Sequence, residues 1–148
     1  MKGRLLTVVL CSFLLIKVAA YGQSSNDLIG TWHNELKATL TITAIAPAGQ
    51  LTGTYQPGLT SDQIFPLIGW VNPVAPVPKK YHVVPVIFMI QLAPYGSIIV
   101  WSGYLSRGND GIPSITTIWN VVQARADPDF PVDHSATNSA IFEPGPAN

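Results

Sequence analysis

The chain has 148 residues, 47% hydrophobic and only 11% charged, with eight basic side chains balancing eight acidic ones. Nucleic acid is excluded as a partner class, because phosphate binding needs clustered Lys and Arg and the basic residues adjoin one another only at Lys79-Lys80, which reads as a solvated loop. The single cysteine, Cys11, lies in the N-terminal segment, so the rest of the chain has no thiol for a disulfide, a metal or a nucleophile.

Residues 1–20 begin with Lys2 and Arg4, continue through an apolar run from Leu5 to Ile16, and end on Ala19-Ala20 before a polar stretch. This is the layout of a cleaved secretory signal. The run is shorter than the roughly 18 apolar residues of a membrane span. A lipidated Cys11 is disfavoured because Val8-Val9-Leu10 lacks the small residue expected before it. Cleavage after Ala20 leaves residues 21–148 as a single domain, with five basic and eight acidic side chains. The expectation is a secreted, extracellular protein with no membrane association after cleavage.

The mature sequence has period two rather than 3.6. Ile29 to Glu35 opens the series, and Leu40, Ile42 and Ala44 then alternate with Thr39, Thr41 and Thr43, as in a half-buried strand. Pro47-Ala48-Gly49 supplies a turn, and Leu51 to Tyr55 returns. Further strands are expected at Ile64 to Val71, Tyr81 to Leu92, Ser97 to Leu105, Ser114 to Val122 and Ser139 to Phe142. Asn72 to Lys80 and Gln123 to Thr137 read as loops, the second with room for a short helical turn.

Short connections force sequential strands to pair antiparallel, and eight of them can close on themselves and remove both edges. The expected fold is all-β, an eight-stranded antiparallel up-and-down barrel, with an interior sized for one small ligand. Within it, inward Trp32, Asn34 two residues later and Tyr55 across the sheet give one cavity a polar end and an aromatic wall. Trp32, near the closed end, reads as a core plug, and Trp70 as core or interface.

Val83 to Leu92 and Ile98 to Trp101 are nearly continuous apolar runs. One barrel covers only its inner face, so a second subunit is expected on the outer face. Pro85 cannot donate to a central ladder, which predicts a bulge there.

The blocks Gly30-Thr31-Trp32-His33-Asn34-Glu35-Leu36, Gly53-Thr54-Tyr55, Trp101-Ser102-Gly103 and Thr117-Ile118-Trp119 resemble the avidin and streptavidin family in order and approximate spacing, across essentially the whole mature chain. The resemblance implies a homotetramer, or at least a dimer, of barrels that bind biotin at their open ends and perform no catalysis. It places Asn34 and Tyr55 as donors to the ureido oxygen and Asn138 as acceptor from a ureido N–H. It makes Trp101, Trp119 and Phe88 the walls of an aromatic box, with Leu36 on the floor. Ser97 becomes a hydroxyl near the carboxylate, and Phe130 a lid where the family has a Trp from a neighbouring subunit.

Three departures accompany that resemblance. Ala38 stands where the family has a third donor to the ureido oxygen, Pro57 where it has an acceptor, and Ile99 where it has a Thr. Each lost hydrogen bond costs roughly 0.5–1.5 kcal/mol, against about 1.4 kcal/mol per tenfold in affinity. Biotin–streptavidin is among the tightest non-covalent complexes, so the expectation is binding that persists but is weakened.

No nucleophile elbow, phosphate loop or pair of carboxylates on facing strands is present, so an enzyme is not expected. His33, His82 and His134 lack the spacing of a metal site. Asp127, Asp129 and Asp133 form an acidic loop that reads as solvated, with a weak cation site as its alternative. No cofactor is expected. Two other functions fit the same barrel, since the loss of polar groups at Ala38, Pro57 and Ile99 suits a more apolar small molecule and a filled interior suits a non-binding oligomeric scaffold.

Overall fold

β-Branched and aromatic residues at alternating positions build eight strands: β1 (Gly30–His33), β2 (Thr39–Ile45), β3 (Gln50–Gln56), β4 (Phe65–Val71), β5 (Val84–Leu92), β6 (Ser97–Arg107), β7 (Pro113–Gln123) and β8 (Ser135–Pro144). The computed structural model describes residues 24–58, 62–74, 83–93, 96–124 and 135–145. Every strand pairs antiparallel with its sequence neighbour, and β8 closes on β1 through Trp32↔Pro144 and His33↔Glu143. The all-β, eight-stranded up-and-down barrel expected from the period-two pattern is the observed fold. The residues expected to carry the signal, 1–20, lie outside the described residues.

The lumen is filled by the apolar member of each alternating pair, among them Leu40, Ile42, Leu51, Leu67, Ile90 and Leu105, all essentially inaccessible. One end is stoppered by a single 3-10 turn, Ser25–Leu28, which drives Leu28 into the core. Its start follows from local chemistry, since the Ser24 hydroxyl accepts from Asn26 N–H (3.2 Å) and Ser24 N–H donates to the Asp27 carboxylate (3.0 Å). Trp32 Nε1 donates to the Leu28 carbonyl (2.9 Å) from a buried position, which makes it the core plug expected from the sequence. The Ser24-x-x-Asp27 pattern was visible in the sequence and announces this turn.

Two strand ends and the place of a bulge differ from expectation. β1 stops at His33, because Asn34 N–H donates to the Ala38 carbonyl and Lys37 N–H to the Asn34 carbonyl, turning the chain at once. β8 begins at Ser135 rather than Ser139, its polar first half held in register with β7 from Val122↔Ser135 onward. Pro85 pairs with Tyr104 without a register shift. Its carbonyl accepts from Asn72 N–H, so its ring nitrogen faces the same side, beyond the end of β4, where a missing donor costs little and no bulge is needed. The bulge falls instead between Ile42 and Ala44 in β2.

The barrel is lopsided. β5 to β8 run nine to eleven residues each, whereas β1 has four and β2 to β4 have seven. Two inward glycines, Gly69 on β4 and Gly103 on β6, let neighbouring strands approach closely: a Cβ at Gly69 would fall on the Ile87 carbonyl and Phe88 Cα, and one at Gly103 on the Thr116 carbonyl.

Candidate functional site

The end opposite the 3-10 plug is the end where β1 leaves its strand at Asn34, β3 ends beyond Tyr55 and β6 begins at Ser97. Asn34 sits two positions past inward-facing Trp32, in a tight turn that it orders itself. Its Oδ1 accepts from Leu36 N–H (3.1 Å) and Ala38 N–H (3.0 Å). Both lone pairs of that oxygen are thereby engaged, so the orientation of the amide is settled and its NH2 group is what remains to offer a ligand. Asn34 also borders an outer groove of about 390 Å³ at the β1–β8 seam, beside His33 and Glu143.

Tyr55 pairs in register with Leu40 on one side and Phe65 on the other, and only 9% of it is exposed. Burial pushes its phenol up to about 12 from the ordinary 10.0, because the low-dielectric surroundings disfavour the phenolate. At neutral pH it is therefore a protonated hydrogen-bond donor. Its ring lies 4.9 Å from that of Trp101, tilted by 47°.

The remaining wall is a cross-strand belt. The register runs Phe88↔Trp101↔Trp119↔Asn138 over four consecutive strands, which puts all four side chains in one cross-strand row on one face. Phe88 is fully buried and stacks on Trp101 (5.3 Å, 22°), with Phe142 meeting its edge (6.2 Å, 69°). Each such pair contributes about 0.5–1.5 kcal/mol beyond its buried area. Trp119 is partly buried, and Asn138 shares the inward parity of Ala140 and Phe142 but is exposed at the mouth. Asn138 Oδ1 accepts from the next residue's N–H, that of Ser139 (2.8 Å).

Of the residues expected to form the site, Tyr55, Phe88, Trp101, Trp119 and Asn138 are thus brought to one face, and Asn34 lies in the turn at the same end of the barrel. Ser97 is buried two same-face positions further toward the open end, paired with Leu92 and Gln123, about 13 Å along β6 from Trp101 at ~3.3 Å per residue. Leu36 is not on a floor: it is 56% exposed in the β1–β2 turn, at the rim. The turn geometry that orients Asn34 carries it outward. Phe130, His82, His134, Asp127, Asp129 and Asp133 lie outside the described residues. Two polar features were missed by sequence reasoning. The Ala38 N–H holds the Asn34 amide in place, and the buried Thr117 hydroxyl donates to the Ala140 carbonyl (3.0 Å) one level below Trp119. Asn as the first residue of a turn is the sequence signal for the first; the second has none.

The family model of the avidin family matches residues 23–144. The chain belongs to the avidin family. No curated protein matches it. Among solved structures, this avidin-family barrel superposes on the crystal structure of Xenavidin with a TM-score of 0.70 at 23% identity, covering 82% of this chain and 99% of that one. It superposes on a biotin binding protein from chicken with a TM-score of 0.68 at 23% identity, covering 80% and 96%. A structure titled AVR2 gives 0.69 at 20% identity over 84% and 100%. At these identities the likeness establishes the fold.

The described residues of the avidin-family barrel include no three His, Cys, Asp or Glu side chains that could hold a metal, and no helix long and apolar enough to cross a membrane.

Proposed function

We propose that this avidin-family barrel is a secreted binding protein, exported by removal of residues 1–20, that holds the cyclic urea of biotin at its open end and turns nothing over. The observation that supports this reading is the row Phe88, Trp101, Trp119 and Asn138 on one face, with Tyr55 against Trp101 and Asn34 in the turn at the same end of the barrel. Donors from Asn34 and Tyr55 suit a ureido oxygen, and the Phe88–Trp101–Trp119 wall suits fused apolar rings. No cofactor has a part in this chemistry; biotin is the ligand.

Affinity is weaker than in the family's tight binders. Ala38, Pro57 and Ile99 carry no side-chain hydrogen-bonding group, and three lost bonds at about 0.5–1.5 kcal/mol each amount to roughly one to three decades. The same residues support a second reading: Ala38 is 2% exposed and Ile99 packs against the core, so a more apolar ligand would meet a matching surface.

The barrel assembles as a homo-oligomer, a tetramer or a dimer, through the outer face of β4 to β7. One register row there runs Trp70↔Ile87↔Ser102↔Ile118, with Trp70 50% and Ile118 57% exposed. That is the apolar second face expected from the sequence, and Trp70 belongs to it rather than to the core.

Thermal unfolding with biotin, a fatty acid and a steroid tests the binding reading, since only a ligand of the folded state raises the melting temperature. The expected result is a shift with biotin that Asn34→Ala abolishes. No calorimetric heat and no change in tryptophan fluorescence at millimolar biotin overturns it. A shift with the apolar ligands alone establishes the second reading, and no shift at all leaves a scaffold.

A further inference from the structure

The rows of paired residues slant around the barrel, and the slant decides which side chains meet across the lumen. The row through Gly30, Gly53, Ile90 and Val121 reaches β8 at Ala136, whereas closure sets Trp32 opposite Pro144, so a row returns to its start ten residues out of step. Ten residues spread over eight tilted strands is about 1.25 per strand, the shift toward the plugged end that keeps a position at constant height as each strand is crossed from β1 toward β8. From Tyr55 this shift leads to Trp101 on β6, and the two rings do lie 4.9 Å apart. Followed backward it leads to Asn34, just past the end of β1, and followed onward to the inward pair Thr117 and Trp119 on β7.

Strand β7 is four strands from β3 in a closed ring of eight, so Thr117 faces Tyr55 from the far side of the lumen. It is 2% exposed, and its register partners Gly103 and Ala140 have no atom beyond Cβ to cover its hydroxyl. A hydroxyl carries one hydrogen and two lone pairs. The Thr117 hydrogen is given to the Ala140 carbonyl at 3.0 Å, so toward the lumen the group accepts. The opposite side has the opposite sense: Tyr55 offers its O–H, and Asn34 offers its NH2 because its oxygen accepts from Leu36 N–H and Ala38 N–H.

We infer that Thr117 is a specificity-determining residue of this site, a buried acceptor for a ring N–H of a ligand whose carbonyl oxygen is held by Tyr55 and Asn34. The inference rests on the biotin-type reading and deepens it, since it sets the ligand class as cyclic ureas and other ring compounds that carry an N–H beside the carbonyl. Replacing that N–H by a ring oxygen sets lone pair against lone pair at Thr117. Removing the hydroxyl leaves the N–H buried and unpaired. Either change is penalised.

The test is titration calorimetry of the full mature chain with biotin and with its two carbamate analogues, in which one or the other ring N–H is replaced by O. To the wild type, one of the two analogues should bind about tenfold or more weakly than biotin. Thr117→Val keeps the shape and loses the hydroxyl; it should weaken biotin by about ten- to a hundredfold and bring that analogue to within about threefold of biotin. Thr117→Ser should restore the wild-type preference. A hydroxyl that only ties β7 to β8 would weaken all three ligands alike, and an unchanged ratio in the Val variant overturns the inference while biotin binding stands. Equal binding of biotin and both analogues to the wild type overturns it as well, without recourse to any variant. If the wild type binds none of the three, the biotin reading itself falls and takes this inference with it.

Discussion

The two halves of the barrel share one interior and differ in what they show to the outside. Strands β1 to β3 present Thr31, Thr41 and Thr54 in a single cross-strand row, with Thr39 beside His33 and Thr43 bonded to the Thr52 carbonyl. Strands β4 to β7 present Trp70, Ile87 and Ile118 in the corresponding row. The inward positions are apolar in both halves, so the lumen alone cannot account for the difference. The Thr-faced half is short and finished in water; the Ile- and Trp-faced half, long in every strand but β4, asks for a covering. The candidate site uses both, taking its polar grip, Asn34 and Tyr55, from the short half and its aromatic belt, Phe88, Trp101 and Trp119, from the long one.

The largest effect expected from disturbing this division is in the belt. Phe88 has no exposed surface and touches both Trp101 and Phe142. Phe88→Ala should therefore cost about 3–5 kcal/mol, the transfer and cavity terms together, read as a lowered urea midpoint. Thr41→Ala on the outer face of the short half should stay within ~0.5 kcal/mol. Equal losses at the two positions would mean that the long half is not where stability is concentrated.

Next comes the covering. Trp70→Asp or Ile118→Asp puts an unpaired carboxylate into the proposed contact, at a penalty of about 3–5 kcal/mol, so association should weaken by 100-fold or more. Light scattering across a dilution series should show dissociation for either variant, while Thr54→Asp on the other half leaves the assembly unchanged. If the Thr54 variant dissociates as readily, the outer faces have been assigned the wrong way round.

Smaller, and confined to the site, is the effect of pH through Tyr55. Its folded-state value is raised from 10.0 to about 12, so the folded protein binds the proton more tightly than the unfolded chain. The associated stability is complete below pH 10 and is lost as the pH climbs through 12, a decline on the order of 2 kcal/mol. Urea titrations between these limits should show that slope, and Tyr55→Phe should flatten it. A wild-type slope no steeper than that of the Phe variant would show that the phenol is not sequestered.

The sequence made the architecture easier to read than the site, for a physical reason. Alternation is repeated over every strand, so Thr39 to Ala44 or Ile64 to Val71 each reveal strand, face and core position from a handful of residues, and closure follows from short connections. Ends are set by single hydrogen bonds. Pro85 looked like a fault in the ladder until the Asn72 N–H showed which way its carbonyl faces. The polar Ser135–Thr137 stretch reads as loop because β7, not its own pattern, makes it strand. In the site, the aromatic belt was legible because directly paired strands bring Phe88, Trp101 and Trp119 into one cross-strand row. The rim position of Leu36 and the donor-only state of Asn34 were not, since both depend on how one turn closes.

That turn supplies the smallest effect. Lys37 has φ 60°, the left-handed region, which costs a residue with a Cβ about 1–2 kcal/mol. Its N–H bonds the Asn34 carbonyl at 2.9 Å, and the two backbone donors that hold the Asn34 amide, Leu36 N–H and Ala38 N–H, flank it. Glycine adopts this conformation freely but loses about 0.5–1 kcal/mol more backbone entropy on folding. Lys37→Gly should therefore stabilise the barrel by a net of roughly 0.5 kcal/mol, a small rise in urea midpoint, with biotin affinity undiminished because the bonds that orient Asn34 are backbone bonds. A fall in stability would mean that the Lys37 side chain, not the backbone geometry, holds the turn, and that the short half keeps its grip on the ligand by a contact rather than by a fold.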